Sequence, residues 1–328
     1  VTGDALYGDL IEEAAYNALP ATFTDDMCAH QYVQQVNQVE VSRKHRDWYD
    51  AYGESNLFGL APNYGCCAAN MHQGWPKLVN SLFFTSGDTV TAGVYAPCRA
   101  ALAVNGTAVE IEEETGYPFR DTIRFVIASV GNAGERLDFR FRFRLPGWTD
   151  RYTLTLNGTP IKSHKVNHFI ETEQNFSAGD ILTLTLPMEV RLQREEYGGM
   201  TLRRGPLLFA LPVGGHRRVL RGNPPFADYE ILPDSPWAYG LVPEMVEEAK
   251  VEQHPVTAIP FSGDQYPLTI TLPMAPAPQW GMKHHSAGPV PPPYAAAPDD
   301  IVQKVLVPYG STLLRVAQFP IARIQGHG

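Results

Sequence analysis

No run of about 18 consecutive apolar residues occurs in this 328-residue chain, so nothing in it reads as a membrane-spanning helix. Basic clusters are missing too. With a net charge of −9 and no Lys/Arg run, the chain offers no electrostatic footprint for nucleic acid, whereas a neutral, sugar-like partner is compatible. Cysteine is scarce: four residues, at 28, 66, 67 and 98, cannot staple a chain of this size, and they are not spaced as a zinc ribbon. Cys66 and Cys67 are adjacent, a geometry in which a mutual disulfide is strained, so two thiols or two metal ligands are the more natural reading. The chain opens on Val1-Thr2-Gly3-Asp4, which reads as a loop inside a longer protein. A signal peptide could have been lost with a missing N-terminal part, so the compartment, cytoplasmic or exported, stays open.

Hydrophobic residues make up 44% of the chain, enough for two or three cores given that single domains run to about 100–200 residues. Asp4 is placed to cap a helix in which Leu6, Leu10, Ile11, Ala14 and Ala15 share one face. A second helical pattern runs from about Ala68 to Phe84, with Met71, Trp75, Leu78, Val79, Leu82 and Phe83 on one side, Pro76 starting or kinking it and Ser86-Gly87 as the stop. Two helices cannot bury their own apolar stripes, so they predict the end of a larger helical domain over residues 1–97.

From Thr89 the period changes to two. Leu137, Phe139, Phe141, Phe143 and Leu145 alternate with Arg136, Asp138, Arg140, Arg142 and Arg144, predicting a strand with one buried and one solvated face. Leu182, Leu184 and Leu186 alternate with Thr183 and Thr185, and Asn105-Gly106 and Asn157-Gly158 are hairpin turns. A β-sandwich is expected over residues 98–192. Nineteen of the 28 prolines then fall between Pro206 and Pro308, which favours strands, edges and ordered loops over helices. A second β-sandwich with long loops is expected over residues 193–328.

The run Gly65-Cys-Cys-Ala-Ala-Asn-Met-His-Gln-Gly-Trp-Pro-Lys77 resembles the double-cysteine motif of the beta-L-arabinofuranosidase family, glycoside hydrolase family 127. Thr2–Asn17, Gln31–Val39, Tyr117-Pro118-Phe119, Leu145-Pro-Gly-Trp148, Leu186–Val190, Arg204-Gly-Pro-Leu207 and Val307-Pro-Tyr-Gly310 are similar to that family in the same order. The resemblance covers nearly the whole chain. It implies a multidomain α plus all-β architecture: the C-terminal helices of an (α/α)6 barrel, then two antiparallel β-sandwich domains. It also implies a zinc ion held by cysteines and a glutamate, and an oligosaccharide or glycoconjugate as partner.

Carried over by position, Cys66 is the nucleophile that forms a thioglycosyl intermediate, and Cys66 and Cys67 both contact zinc. The entrance of a helix and a metal both favour the thiolate, the nucleophilic form. The motif departs from the Cys-Cys-Pro-Pro-Asn form of the family at Ala68-Ala69. A retaining glycosidase also needs a carboxylic acid for the leaving oxygen. The resemblance puts that glutamate and the remaining zinc ligands upstream of Val1, so the chain alone is expected to be inactive.

Tyr32 falls where the family has an active-site tyrosine, and His30 and His72 are polar candidates for sugar binding. Trp48 is the more exposed candidate for stacking on a sugar ring, while Trp75 reads as core. Glu40 and Glu54 read as surface charges, the arginine row 140, 142, 144 as a solvated strand face, and His284-His285 as loop residues. The competing function, from another class, is a non-catalytic carbohydrate-binding or structural β-sandwich module. A redox or metal-storage role rests on the cysteine pair alone. Assembly into a homo-oligomer stays open.

Overall fold

The computed structural model describes residues 3–48, 53–60 and 65–325, with residues 67 and 68 described by their backbone only. It is mostly β-structure. The helices Leu6–Glu13, Gly65–Met71 and Gly74–Val79 are short, and none among the described residues is long and apolar enough to cross a membrane. Two compact units emerge, each built from two stretches of chain: residues 1–15 with 73–189, and residues 16–72 with 190–328.

In the first unit a six-stranded sheet runs, in spatial order, Thr159–Pro160, Thr153–Leu156, Ile181–Thr185, Thr122–Val130, Thr107–Thr115 and Cys98–Val104. A five-stranded sheet runs His164–Val166, Phe169–Ser177, Arg136–Arg144, Thr89–Ala92 and Phe83–Ser86. The alternation from Arg136 holds: Phe139, Phe141 and Phe143 are buried, and Phe125 of the other sheet meets Phe141 and Phe143 at 5.3 and 5.1 Å between ring centroids. This aromatic layer is the core between the sheets. Asn105-Gly106 and Asn157-Gly158 form the expected two-residue turns, all four residues at positive φ.

The second helical pattern ends earlier than its spacing predicts. Helix Gly65–Met71 stops, His72 and Gln73 form a turn, and Gly74–Val79 carries Pro76 in its first turn, where the missing N–H costs nothing. The last turn expected, through Phe84, is instead the strand Phe83–Ser86, turned at Gly87 into Thr89–Ala92. Trp75 packs with Ala15, Leu78, Leu82 and Val94, the core position expected of it.

The first helix forms as predicted, with the Leu6 N–H donating to Asp4 Oδ1 at 2.9 Å, yet it buries a different face. Leu6, Tyr7, Leu10 and Ile11 are exposed, while Ala5, Gly8, Glu12 and Ala15 face inward. The reason is Arg144. Its side chain is 1% exposed, not on a solvated face, and forms ion pairs with Glu12, itself 1% exposed, and with Asp9. Its Nε donates to the Gly93 carbonyl at 2.6 Å. A Cβ on Gly8 would lie 2.4 Å from Arg144 Cδ, so glycine is what lets the guanidinium pass under the helix. A buried charge needs its partners, and that requirement outweighs the burial of two leucines.

Two further groups surround this pair. Burial, opposed by the Ala96 N–H and reinforced by the charge of Glu12, holds the Glu113 carboxyl well above its ordinary value of 4.5. Burial, with Glu113 beside it, pushes the Cys98 thiol up to about 12. A carboxyl whose folded-state pKa is raised binds its proton more tightly in the folded state. Its contribution is complete below about 4.5 and is lost as pH rises through the folded value. Glu113→Gln, which keeps the neutral form at every pH, is expected to flatten the fall of stability with rising pH and to raise the melting temperature at alkaline pH. Thermal melts from pH 5 to pH 9 would register this, and an unchanged slope would remove Glu113 from the account.

In the second unit the main sheet orders Val190–Arg194, Met200–Arg204, Leu207–Pro212, Val302–Pro308, Leu268–Pro276 and Tyr239–Leu241. A four-stranded sheet orders His30–Gln31, Phe58–Gly59, Phe226–Pro233 and Gly215–Asn223. Residues 30–48 and 53–59 are therefore strands and polar connections of a β unit. Buried amides hold them in place. Asn37 Nδ2 donates to the Gln318 carbonyl at 2.9 Å while its Oδ1 accepts from the Ala317 and Gln318 N–H groups, and Gln38 Nε2 donates to the Leu313 carbonyl. Each amide saturates backbone groups that a short strand leaves unpaired.

Candidate functional site

The candidate residues Cys66, Tyr32, His30 and His72 all lie in the second unit. Strand His30–Gln31 pairs with Phe58–Gly59, His30 opposite Gly59, and Phe58 pairs onward with Tyr229. Both residues of this short strand are buried, and Tyr32, just beyond it, is exposed. His30 is buried. Burial lowers its pKa, opposed by the charge of Asp228, so the ring is neutral near pH 7, and its Nε2 has no hydrogen-bond partner among the described residues. Gly59 permits the close approach of Asp228, whose Oδ1 would lie 2.2 Å from a Cβ there and accepts from the Leu60 N–H at 3.2 Å.

Asp228 and Glu54 share one cation. Arg221 Nε donates to Asp228 Oδ2 at 2.7 Å, and its Nη2 reaches Glu54 at 3.3 Å, where Arg43 arrives at the same distance from the other side. Glu54 is buried, and so is Glu40, which accepts from Ser42 Oγ at 2.5 Å and pairs with Lys44 at 3.6 Å. The surface-charge reading of these two carboxylates is corrected. Residues 40–46 and 53–54 pack on each other and on the Gly215–Pro233 hairpin, so their charges are compensated inside the unit.

Six residues beyond Leu60, Cys66 stands in the first turn of Gly65–Met71, exposed, its carbonyl accepting from Asn70 Nδ2 at 2.7 Å. A chain of six residues reaches about 20 Å at most, which bounds the distance between Cys66 and the end of the His30 sheet. Cys67 is next in the same turn, and its side chain lies outside the described residues. His72 is exposed in the turn after the helix. The structure thus brings His30 together with Asp228, and through Arg221 with Glu54, while Cys66 and His72 stand at the two ends of one short helix. Among the cysteines with described side chains, Cys66 is the exposed one. Cys98 is half-buried and held as a thiol, and the pKa of Cys28 is raised by burial and by the Asp26 carboxylate.

Among the described residues no three His, Cys, Asp or Glu side chains are grouped so as to hold a metal ion. The residues described here do not by themselves fit a zinc site.

Sequence patterns missed two arrangements. His284 and His285 occupy the two-residue turn between Met282–Lys283 and Ser286–Ala287, both at positive φ, where the sequence carries neither Asn nor Gly to announce a turn. Each faces a carboxylate: His284 Nε2 lies 3.3 Å from Asp47 and His285 Nδ1 3.4 Å from Glu40. Trp48, expected to be open for stacking, is half-buried, with Arg46 over its ring at 5.7 Å and its Nε1 donating to Ser286 Oγ at 3.4 Å.

Comparison with known proteins follows the same division of the chain. Residues 89–188 match the model of the GH127 middle domain of beta-L-arabinofuranosidases. A solved structure described as a GH127 beta-arabinofuranosidase is similar over 98% of this chain and 48% of its own, with a TM-score of 0.68 at 19% identity. A GH127 beta-L-arabinofuranosidase from Geobacillus stearothermophilus T6 gives 0.67 at 20% identity, over 98% and 47% of the two chains. A third, described as a glycoside hydrolase, gives 0.70 at 18%, over 98% and 49%. The chain spans about half the length of these structures. A search of curated proteins gives no match. Residues 89–188 thus resemble the GH127 middle domain, and the chain as a whole shares the fold of the solved structures.

Proposed function

We propose that the protein containing this chain is a retaining glycoside hydrolase that releases terminal beta-L-arabinofuranose or a related sugar from an oligosaccharide or glycoconjugate, with Cys66 as nucleophile. The observation that carries this reading is the exposed thiol of Cys66 at the start of Gly65–Met71, inside the double-cysteine run and in a chain with a GH127 middle domain. A sulfur nucleophile must reach the anomeric carbon, and Cys98, half-buried and protonated, cannot take its place.

The chemistry divides into two displacements. The thiolate attacks the anomeric carbon as the leaving oxygen takes a proton from a carboxylic acid, and water then displaces the sulfur, so configuration is retained. The acid is assigned to neither Glu40 nor Glu54, whose oxygens are engaged inside the unit. Zinc held by Cys66 and Cys67 belongs to this reading on the strength of the motif, and it would favour the thiolate. No step is assigned to it, because the described residues supply no complete ligand set. Tyr32, exposed beside the His30 strand, and His72, exposed after the helix, are placed as sugar contacts; His30, buried and neutral, would act from behind them. An (α/α)6 barrel to which the three short helices contribute completes the reading.

The test is release of arabinose from an aryl beta-L-arabinofuranoside by the intact natural protein, with the anomer of the first-formed product followed by NMR. Retention is expected. An inverted product, or no turnover of any furanoside tried, would overturn the proposal.

A further inference from the structure

A second aromatic site stands apart from the cysteine motif. In the second unit, where the end of strand Leu268–Pro276 pairs with Tyr239–Leu241, a cleft of about 410 Å³ opens, lined by Trp237, Tyr239, Trp280, Pro236, Pro278 and Met282 among others. That volume is within the range of about 300–1,000 Å³ common for small-molecule sites.

The cleft is preformed. Trp280 is buried, its Nε1 donating to the Gly288 carbonyl at 2.9 Å and its backbone N–H to the Ala277 carbonyl at 2.9 Å. Its ring meets that of Trp237 at 5.1 Å and 76°, an edge-to-face contact that braces an indole which is itself only half-buried. The Ala277 N–H donates to the Ala238 carbonyl, and Tyr239 pairs with Pro276, so the backbone that follows Trp237 is pinned. Pro236 before one strand, and Pro276 and Pro278 at the end of the other, add stiffness.

Charge narrows the ligand. Among the described residues, no ionisable acid or base lines the cleft other than the Tyr239 phenol. Aromatic clefts often take cations, but the face of Tyr239 already carries the Lys304 ammonium, 4.0 Å from the ring centroid, and no carboxylate is present to favour a second positive charge. An anion would find no basic group in the lining. What fits is a neutral, rigid ring with one apolar C–H face to lie on an indole, whose π face attracts polarised C–H groups, and hydroxyls at its edge. Ser235 accepts from the Gly214 N–H at 2.7 Å through its Oγ, which leaves its own O–H to donate to such a hydroxyl.

We propose that the Trp237–Trp280 cleft is an ancillary carbohydrate-binding site that holds a neutral sugar unit of the glycan on which the protein acts. The class of ligand rests on the glycosidase reading; the geometry of the cleft does not. Holding a second unit would keep a polymeric substrate at the protein between cleavages, raising its effective concentration.

The experiment titrates the 328-residue chain with an arabinose-containing oligosaccharide and follows indole N–H resonances by NMR, the Trp237 signal being the one missing from Trp237→Phe. Saturable movement of that signal is expected at millimolar sugar or below. Trp237→Ala should weaken binding about tenfold, Trp237→Phe less, and Cys66→Ala not at all. Because Trp237→Ala could disturb Trp280, its melting curve and the Trp280 indole resonance are recorded with it, and Trp237→Phe serves as the folded control. A Trp237 signal that stays still at about 10 mM sugar overturns the proposal. So does binding that survives Trp237→Ala, or a cleft that takes a proline-rich peptide and not the sugar. Measured in the intact natural protein, hydrolysis lost in Cys66→Ala with Trp237 binding kept, or the reverse, separates failure of this site from failure of the hydrolytic reading.

Discussion

Replacing Cys66 by alanine is expected to lower turnover of an arabinofuranoside by about a thousand-fold or more, because removing a nucleophile removes the covalent path and leaves only binding and electrostatics. The loss should fall on kcat more than on KM, since the sulfur acts after the sugar is bound. Iodoacetamide offers an independent reading of the same atom. Cys66, exposed, should be alkylated with loss of activity, while Cys98, its thiol pushed up to about 12 by burial and by Glu113, should survive the same treatment. Peptide mapping after partial inactivation distinguishes the two. Activity that persists with Cys66 fully alkylated, or in Cys66→Ala, rules this sulfur out as the nucleophile.

Arg144→Met is expected to destabilise the first unit by about 3–5 kcal/mol. The loss is not that of a salt bridge at a surface. Glu12 is as buried as Arg144, and burial already lifts its carboxyl above the ordinary value despite the guanidinium beside it. Burial works against the charge of Arg144 too, but Glu12, Tyr117 and Tyr95 together outweigh it and keep the arginine protonated. Without Arg144 the Glu12 carboxylate is uncompensated and the Gly93 carbonyl loses its donor. For a unit of this size the melting temperature should fall by roughly 6–20 °C. The informative variant is the double one, Arg144→Met with Glu12→Leu. Replacing both charges by apolar groups of similar size should recover most of the loss, since a buried pair is often no better than the hydrophobic contact that replaces it. If the double variant is as unstable as the single, the ion pair is not what holds Leu6–Glu13 in place.

The two predictions rest on parts of the sequence that differ in how openly they declare themselves. Strand Arg136–Arg144 was legible because alternation is a local property, and so were the Asn-Gly turns, whose positive φ restricts the choice of residue. The double-cysteine run is equally local, and the exposed Cys66 could be singled out from a dozen letters. The inward face of Leu6–Glu13 could not. Its apolar stripe points one way and its buried side the other, because Asp9 and Arg144 meet from positions 135 apart. The same holds for Glu40 and Glu54, which look like ordinary surface charges until Arg221 and His285 arrive from the far part of the chain. Residues 31–38 show no hydrophobic period, since what anchors them is amide hydrogen bonding to the 313–318 backbone. Trp237 and Trp280 belong to no motif, and their partnership is visible only as a ring contact.

The division of each unit into two chain segments has a consequence during synthesis. Residues 16–72 leave the ribosome well before their partners, since the second segment of their unit starts only at Val190. At about 5–20 residues per second, the intervening 117 residues take roughly 6–23 s to make. For that interval the segment bearing His30, Tyr32 and Cys66 has none of the sheet it will join, and its exposed amides and thiols depend on the nascent chain and its chaperones for protection. The first unit, complete at residue 189, is able to close while the second is still being translated.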